Sequence, residues 1–83
     1  MPLFMDIHRN QSDLDAEKAK AAHKADLDVQ SKHGVEFVDY WYSSAEGVIY
    51  CHYNAPSKEA GAAVHAEAHG HTADEIIEVQ RGE

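Results

Sequence analysis

The sequence predicts an α+β sandwich in which two helices cover one face of a four-stranded antiparallel sheet. Period-two alternation marks short strands near both ends of the chain and in its middle. Two alanine-rich stretches with capping residues mark helices between them. A short turn joins the two central strands into a hairpin. The resulting order, β-α-β-β-α-β, is the ferredoxin-like arrangement, expected here as a single domain over residues 1–83.

The first strand is Leu3 to His8, with Leu3, Met5 and Ile7 expected on one side and Phe4, Asp6 and His8 on the other. Ser12, followed three positions later by Asp15, signals a helix start. Leu14, Ala21, Ala22, Ala25 and Val29 form its apolar stripe, and Gly34 ends it after His33. Val35 to Ser43 is rich in β-branched and aromatic residues, Ser44 to Gly47 reads as a turn, and Val48 to Tyr53 resumes the strand composition. Pro56 and Ser57 open a second helix with a narrow stripe of Ala60, Ala63 and Val64 that ends at Gly70. Glu75 to Val79 is the last strand.

Most of the 43% hydrophobic residues are small, so the core of an 83-residue chain is thin. A domain of this size buries only about 60% of its unfolded surface, which favours pairing with a second copy. The net charge of −8 argues against nucleic acid and suits cations. No run approaches the roughly 18 apolar residues of a membrane span, and the N-terminus lacks signal-peptide regions, so the cytoplasm is the expected compartment. The lone Cys51 offers neither a disulfide nor a Cys-x-x-Cys zinc pair. Phosphate loops and nucleophile elbows have no counterpart in the chain.

Chemistry concentrates in the seven histidines. His65 and His69 share a helix face at i, i+4 spacing, and Gly70 permits the left-handed turn that brings His71 back toward them. In the expected topology the end of the first strand lies beside the end of the second helix and the start of the last strand. His8 therefore approaches His69, His71 and Asp74. Imidazoles with a carboxylate form a nitrogen and oxygen shell suited to nickel, zinc or copper. The alternative is that an acidic surface helix simply carries solvated histidines.

The bare sheet face gives a second cluster. Strand parity is expected to put Asp6, His8, Tyr50 and His52 there, with Asp39 and Trp41 beside them if the second strand has matching parity. Asp6 and His52 then form either a general acid/base dyad or a hydrogen bond at a wet dimer interface. His23 falls opposite the chosen stripe and is expected in solvent or in a crystal or subunit contact. His33, in the last helical turn, complements the helix dipole. Cys51 is expected on the helix-covered side as a small hydrophobe.

Met5-Asp6-Ile7-His8, His33-Gly34-Val35, Tyr50-Cys51, Ala55-Pro56, Glu59-Ala60, His65-Ala66, Gly70, Ala73 to Ile76 and Glu78-Val79 together resemble a bacterial domain family of unknown function. One subgroup of that family binds nickel. The resemblance implies a ferredoxin-like fold, a homodimer and nickel as the ion, with no established catalytic activity, and His69 and His71 fit the nickel-binding subgroup. His65 is a general family position and a packing role for it stays open.

The reading that follows is a metal-binding protein that buffers, sequesters or senses nickel, drawing on His8, His65, His69, His71, Asp6, His52, Asp39 and Asp74, with no catalytic residues assigned. One rival is an enzyme of the dimeric ferredoxin-like type that moves a proton with Asp6 and His52. Another is a ligand-free interaction module.

Overall fold

Strand alternation, helix caps and one bulge organise residues 1–82, which a computed structural model describes. The strands β1 (Leu3–His8), β2 (Glu36–Ser43), β3 (Val48–Asn54) and β4 (Glu75–Val79) form one sheet in the order β2-β3-β1-β4. Every neighbouring pair is antiparallel. With α1 (Ala16–Val29) and α2 (Lys58–Ala68) intervening, the element order is β-α-β-β-α-β, and the expected ferredoxin-like fold is the observed one.

Helix α1 begins later than the Ser12 signal implies. Asp15 is its cap, accepting 2.8 Å from the Lys18 N–H, while Asn10 and Asp13 have positive φ in the preceding loop. Its inward face is also turned from the expected stripe. Ala19 and Asp26 are buried and Ala22 and His23 half-buried, whereas Ala21 and Leu27 are less enclosed, Leu27 being exposed. A 3-10 turn, Gln30–His33, follows and closes on Gly34 at φ 67°. Helix α2 starts as expected, with Ser57 Oγ accepting from the Ala60 N–H at 3.2 Å. It ends at a His69 cap, and Gly70 takes the left-handed conformation at φ 76°.

The first strand corrects the expected parity. Asp6 pairs with Cys51 and His8 with Ile49, so Phe4, Asp6 and His8 are buried on the helix-covered side. Leu3, Met5 and Ile7, expected inside, alternate to the open face. Both sets contain apolar residues, and alternation alone cannot rank a set that includes Asp6 and His8 as the interior one. Strand β2 resolves through a register shift between Phe37 and Asp39, which leaves Val38 as an extra residue. Phe37 is thereby buried, and Tyr40, three positions on, packs against the same core. Asp39 pairs with His52 and Trp41 with Tyr50 on the open face.

Phe4, Val35, Phe37, Ile49, Cys51, Tyr53, Ala55 and Val64 make the core. Phe37 stacks on Tyr53 with ring centroids 4.9 Å apart. Gly61 of α2 lies so close to the Tyr53 ring that a Cβ there would overlap it. A Gly61→Ala chain should therefore lose about 1–3 kcal/mol from overpacking, although helix propensity alone favours alanine by about 1 kcal/mol. Urea unfolding reads the difference, and a raised midpoint would contradict this close approach.

Candidate metal centre

Four elements converge on His65. From α2 its Nε2 lies 2.6 Å from Asp6 Oδ2 of β1, and its Nδ1 lies 3.0 Å from Asp26 Oδ1 of α1. The Tyr53 hydroxyl of β3 donates to the other Asp6 oxygen at 2.6 Å. All four side chains are fully buried. An imidazole whose two nitrogens each face a carboxylate donates from both, so His65 is an imidazolium between two anions. Two carboxylates and one imidazolium leave one net negative charge inside the fold.

His69, one turn after His65, brings its Nε2 to 3.1 Å from Asp26 Oδ1 and 3.3 Å from His65 Nδ1. Its Nδ1 accepts from the His71 N–H at 3.1 Å, so the turn at Gly70 does bring His71 back, with the two rings 5.3 Å apart. His8 meets His65 edge-on at 4.7 Å. Its buried Nε2 has no hydrogen-bond partner among the described residues and stands 3.9 Å from Asp6 Oδ2.

The titration behaviour follows from this geometry. Burial opposes charge on His65, but hydrogen bonds to Asp26 and Asp6 overcome it and raise the pKa to about 9. Burial likewise pushes Asp26 up, yet hydrogen bonds from His65 and His69 leave it below its ordinary value. Burial, then the His65 charge, drives His8 down to about 4. The His65 contribution to stability is complete below its unfolded value of 6.5 and is lost as pH rises through about 9. The contribution of neutral His8 is complete above 6.5 and is lost as pH falls through about 4. For these two groups the melting temperature should peak near pH 6.5. Thermal melts across this range check it, and a midpoint unchanged between 6.5 and 9 would contradict the imidazolium.

Among the described residues, two groups of side chains bring metal-donor atoms within 4.8 Å of one another: Asp26, His65 and His69, and His8, Cys51 and His65. Both border a cavity of about 40 Å³ whose wall also includes His23, Tyr40 and His71. One water needs roughly 10–15 Å³, so this volume has room for an ion and about two waters. The oxygen and nitrogen donors of the first group are those of a first-row divalent ion, and the orphaned His8 nitrogen adds an unused donor nearby.

Of the residues singled out from the sequence, His8, His65, His69 and Asp6 meet here, with exposed His71 at the cavity wall. Others lie elsewhere. His52 Nδ1 pairs with Asp39 Oδ1 at 3.0 Å on the open sheet face, with its ring 5.9 Å from that of Trp41. Asp74 accepts from the Arg9 N–H at 2.6 Å, and its own N–H donates to the Ile7 carbonyl at 2.9 Å. The Asp6 and His52 dyad is overturned, because its members occupy opposite faces of the sheet. His23, expected in solvent or in a crystal or subunit contact, is half-buried with its ring tilted against Tyr40 at a centroid distance of 4.6 Å. His33 meets Glu67 at 3.2 Å on the surface.

Asp26 and Tyr53 escape the sequence reading. Asp26 recurs at helical spacing from Ala19, Ala22 and His23, a pattern hidden by reading the stripe through Ala21 and Ala25. Tyr53 reads as an ordinary strand aromatic, and its hydroxyl partner is 47 residues away.

The fold and this cluster define a small ferredoxin-like protein with buried side-chain groups able to take a metal ion. More particularly, the chain belongs to the family of nickel-responsive proteins like SCO4226, which matches residues 4–79. It is similar to SCO4226 from Streptomyces coelicolor A3(2), whose crystal structure superposes with a TM-score of 0.91 at 42% identity. The superposition covers 98% of this chain and 99% of that one. No curated protein matches the chain. Among the described residues no helix is long and apolar enough to cross a membrane.

Proposed function

We propose that the chain binds nickel(II) through Asp26, His65 and His69, and thereby buffers, sequesters or senses the ion. The observation that carries this is the gathering of one carboxylate and two imidazoles from two helices, with donor atoms within 4.8 Å, at the wall of a small cavity. Such a shell accepts nickel, zinc or copper(II) with geometry deciding among them; membership of a nickel-responsive family favours nickel here. His71 stands at the cavity wall as a further donor. Binding replaces the ring protons of His65 and His69 that face Asp26, so affinity falls as the solution is acidified.

Calorimetric titration with nickel tests the reading. Saturable binding tighter than that of an unstructured peptide of equal histidine content is expected, and affinity no better than the peptide's contradicts it. The acid–base reading of the Tyr53, Asp6 and His65 chain has less support, because the adjoining 40 Å³ cavity is far below the roughly 300 Å³ of small-molecule sites.

The proposal includes a homodimer in the cytoplasm. Trp41 is 51% exposed on the open sheet face beside its cross-strand partner Tyr50, and Ile77 is exposed on the far edge strand, with half-buried Leu3, Met5 and Ile7 on β1 between them. A second copy covering this face adds the apolar burial that a thin core lacks. Sedimentation equilibrium reads the mass directly, and a monomer at micromolar concentration contradicts the dimer. The single buried thiol suits a reducing compartment.

A further inference from the structure

We infer that the side of the cavity lined by His8, Cys51 and His65, with Asp6 behind His65, is a second metal site, of different chemistry, that holds a zinc ion. The first observation is an unmet need. His8 is 5% exposed, and its Nε2 is buried without a partner among the described residues. An unsatisfied buried polar atom costs about 1–3 kcal/mol.

The second observation is what surrounds it. The donor atoms of His8, Cys51 and His65 lie within 4.8 Å of one another, and all three residues are buried. Cys51 is the direct cross-strand partner of Asp6, so the thiol and the carboxylate leave the sheet side by side. Tyr53 occupies one Asp6 oxygen, while the other lies 2.6 Å from His65 Nε2 and 3.9 Å from His8 Nε2. Two imidazoles, a thiol and a carboxylate are the nitrogen, sulfur and oxygen donors of a four-coordinate zinc site. The thiolate separates this site from the group of Asp26, His65 and His69, whose nitrogen and oxygen donors suit nickel.

Charge balances as well. Binding releases the Cys51 thiol proton and one His65 ring proton to solvent. A divalent cation then faces one thiolate and two carboxylates, which leaves the same single negative charge as before, and no electron is transferred. Burial and then the Asp26 and Asp6 charges hold the Cys51 thiol protonated without an ion, and those carboxylates are what attract a cation. His65 serves the two groups through opposite ring nitrogens, Nδ1 toward Asp26 and His69 and Nε2 toward Asp6.

Cobalt(II) is the probe, because a cobalt–thiolate bond gives a near-ultraviolet charge-transfer band and tetrahedral cobalt absorbs strongly in the visible. The wild-type protein should show both features on cobalt addition and lose them as zinc displaces the cobalt. Cys51→Ser should abolish the charge-transfer band, and His8→Gln should weaken zinc binding at least ~10-fold, as loss of one ligand from a structural zinc shell does. An Asp26→Asn, His69→Gln variant should keep the band while losing nickel affinity, which separates this site from the group of Asp26, His65 and His69. Zinc K-edge absorption on the unaltered chain removes dependence on variant folding. One sulfur in the zinc shell, absent in Cys51→Ser, is expected; a shell of nitrogen and oxygen alone would overturn the second site.

Discussion

A chain carrying His65→Ala should lose about 3–5 kcal/mol of stability. The substitution removes the cation between Asp6 and Asp26 and leaves two fully buried carboxylates about one imidazole apart. A domain of this size has only about 5–15 kcal/mol in total, so such a loss brings it near unfolding. The cost is electrostatic before it is steric, and this distinguishes it from an ordinary cavity. Adding Asp26→Asn to His65→Ala should recover part of the loss, because one stranded charge disappears; independent sites would instead add. Urea unfolding of the single and double variants measures the coupling. Strict additivity of the two losses would contradict a triad held by its central charge.

Nickel affinity should fall roughly 100-fold or more when Asp26→Asn and His69→Gln are combined, beyond the 10–100-fold typical of outer partners of a metal ligand. Both changes preserve shape: an amide at position 26 keeps the carboxylate outline, and glutamine at position 69 keeps a long polar side chain at the end of α2. His65 retains Asp6 as its remaining anion, 2.6 Å away, so the fold keeps its central contact. The effect therefore reads donor chemistry with little loss of structure. Replacing His52 or Asp39 on the opposite face should leave nickel affinity within about twofold, since their pair is separated from the cluster by the sheet. A loss at His52 equal to that at Asp26 and His69 would move the metal to the open face.

The fold was legible because strand period, caps and turn all agreed. Ser57, Gly34 and Gly70 each do what their residue type implies. Orientation was harder. A strand reading Leu-Phe-Met-Asp-Ile-His offers an apolar residue on both sides, and the sheet buries the side carrying Asp6 and His8 because His65 and Tyr53 satisfy Asp6 from elsewhere in the chain. No local pattern announces a partner 59 residues away. The same inversion hid Asp26, whose place on the inward face of α1 looks like an error in amphipathicity until His65 is seen opposite it. In β2 the extra residue at Val38 breaks the period of two, which is why the parity of Asp39 and Trp41 stays open in the sequence. The grouping of His8 with His65, His69 and His71 was readable from topology and i, i+4 spacing alone, whereas Asp26 and the pairing of Asp6 with His65 were not.

Nickel-edge anomalous scattering from crystals of the protein grown with nickel tests the central claim most directly. One ion bounded by Asp26, His65 and His69 is the result this structure predicts. Anomalous density confined to His52 and Asp39 on the open face, or to exposed histidines alone, would contradict it.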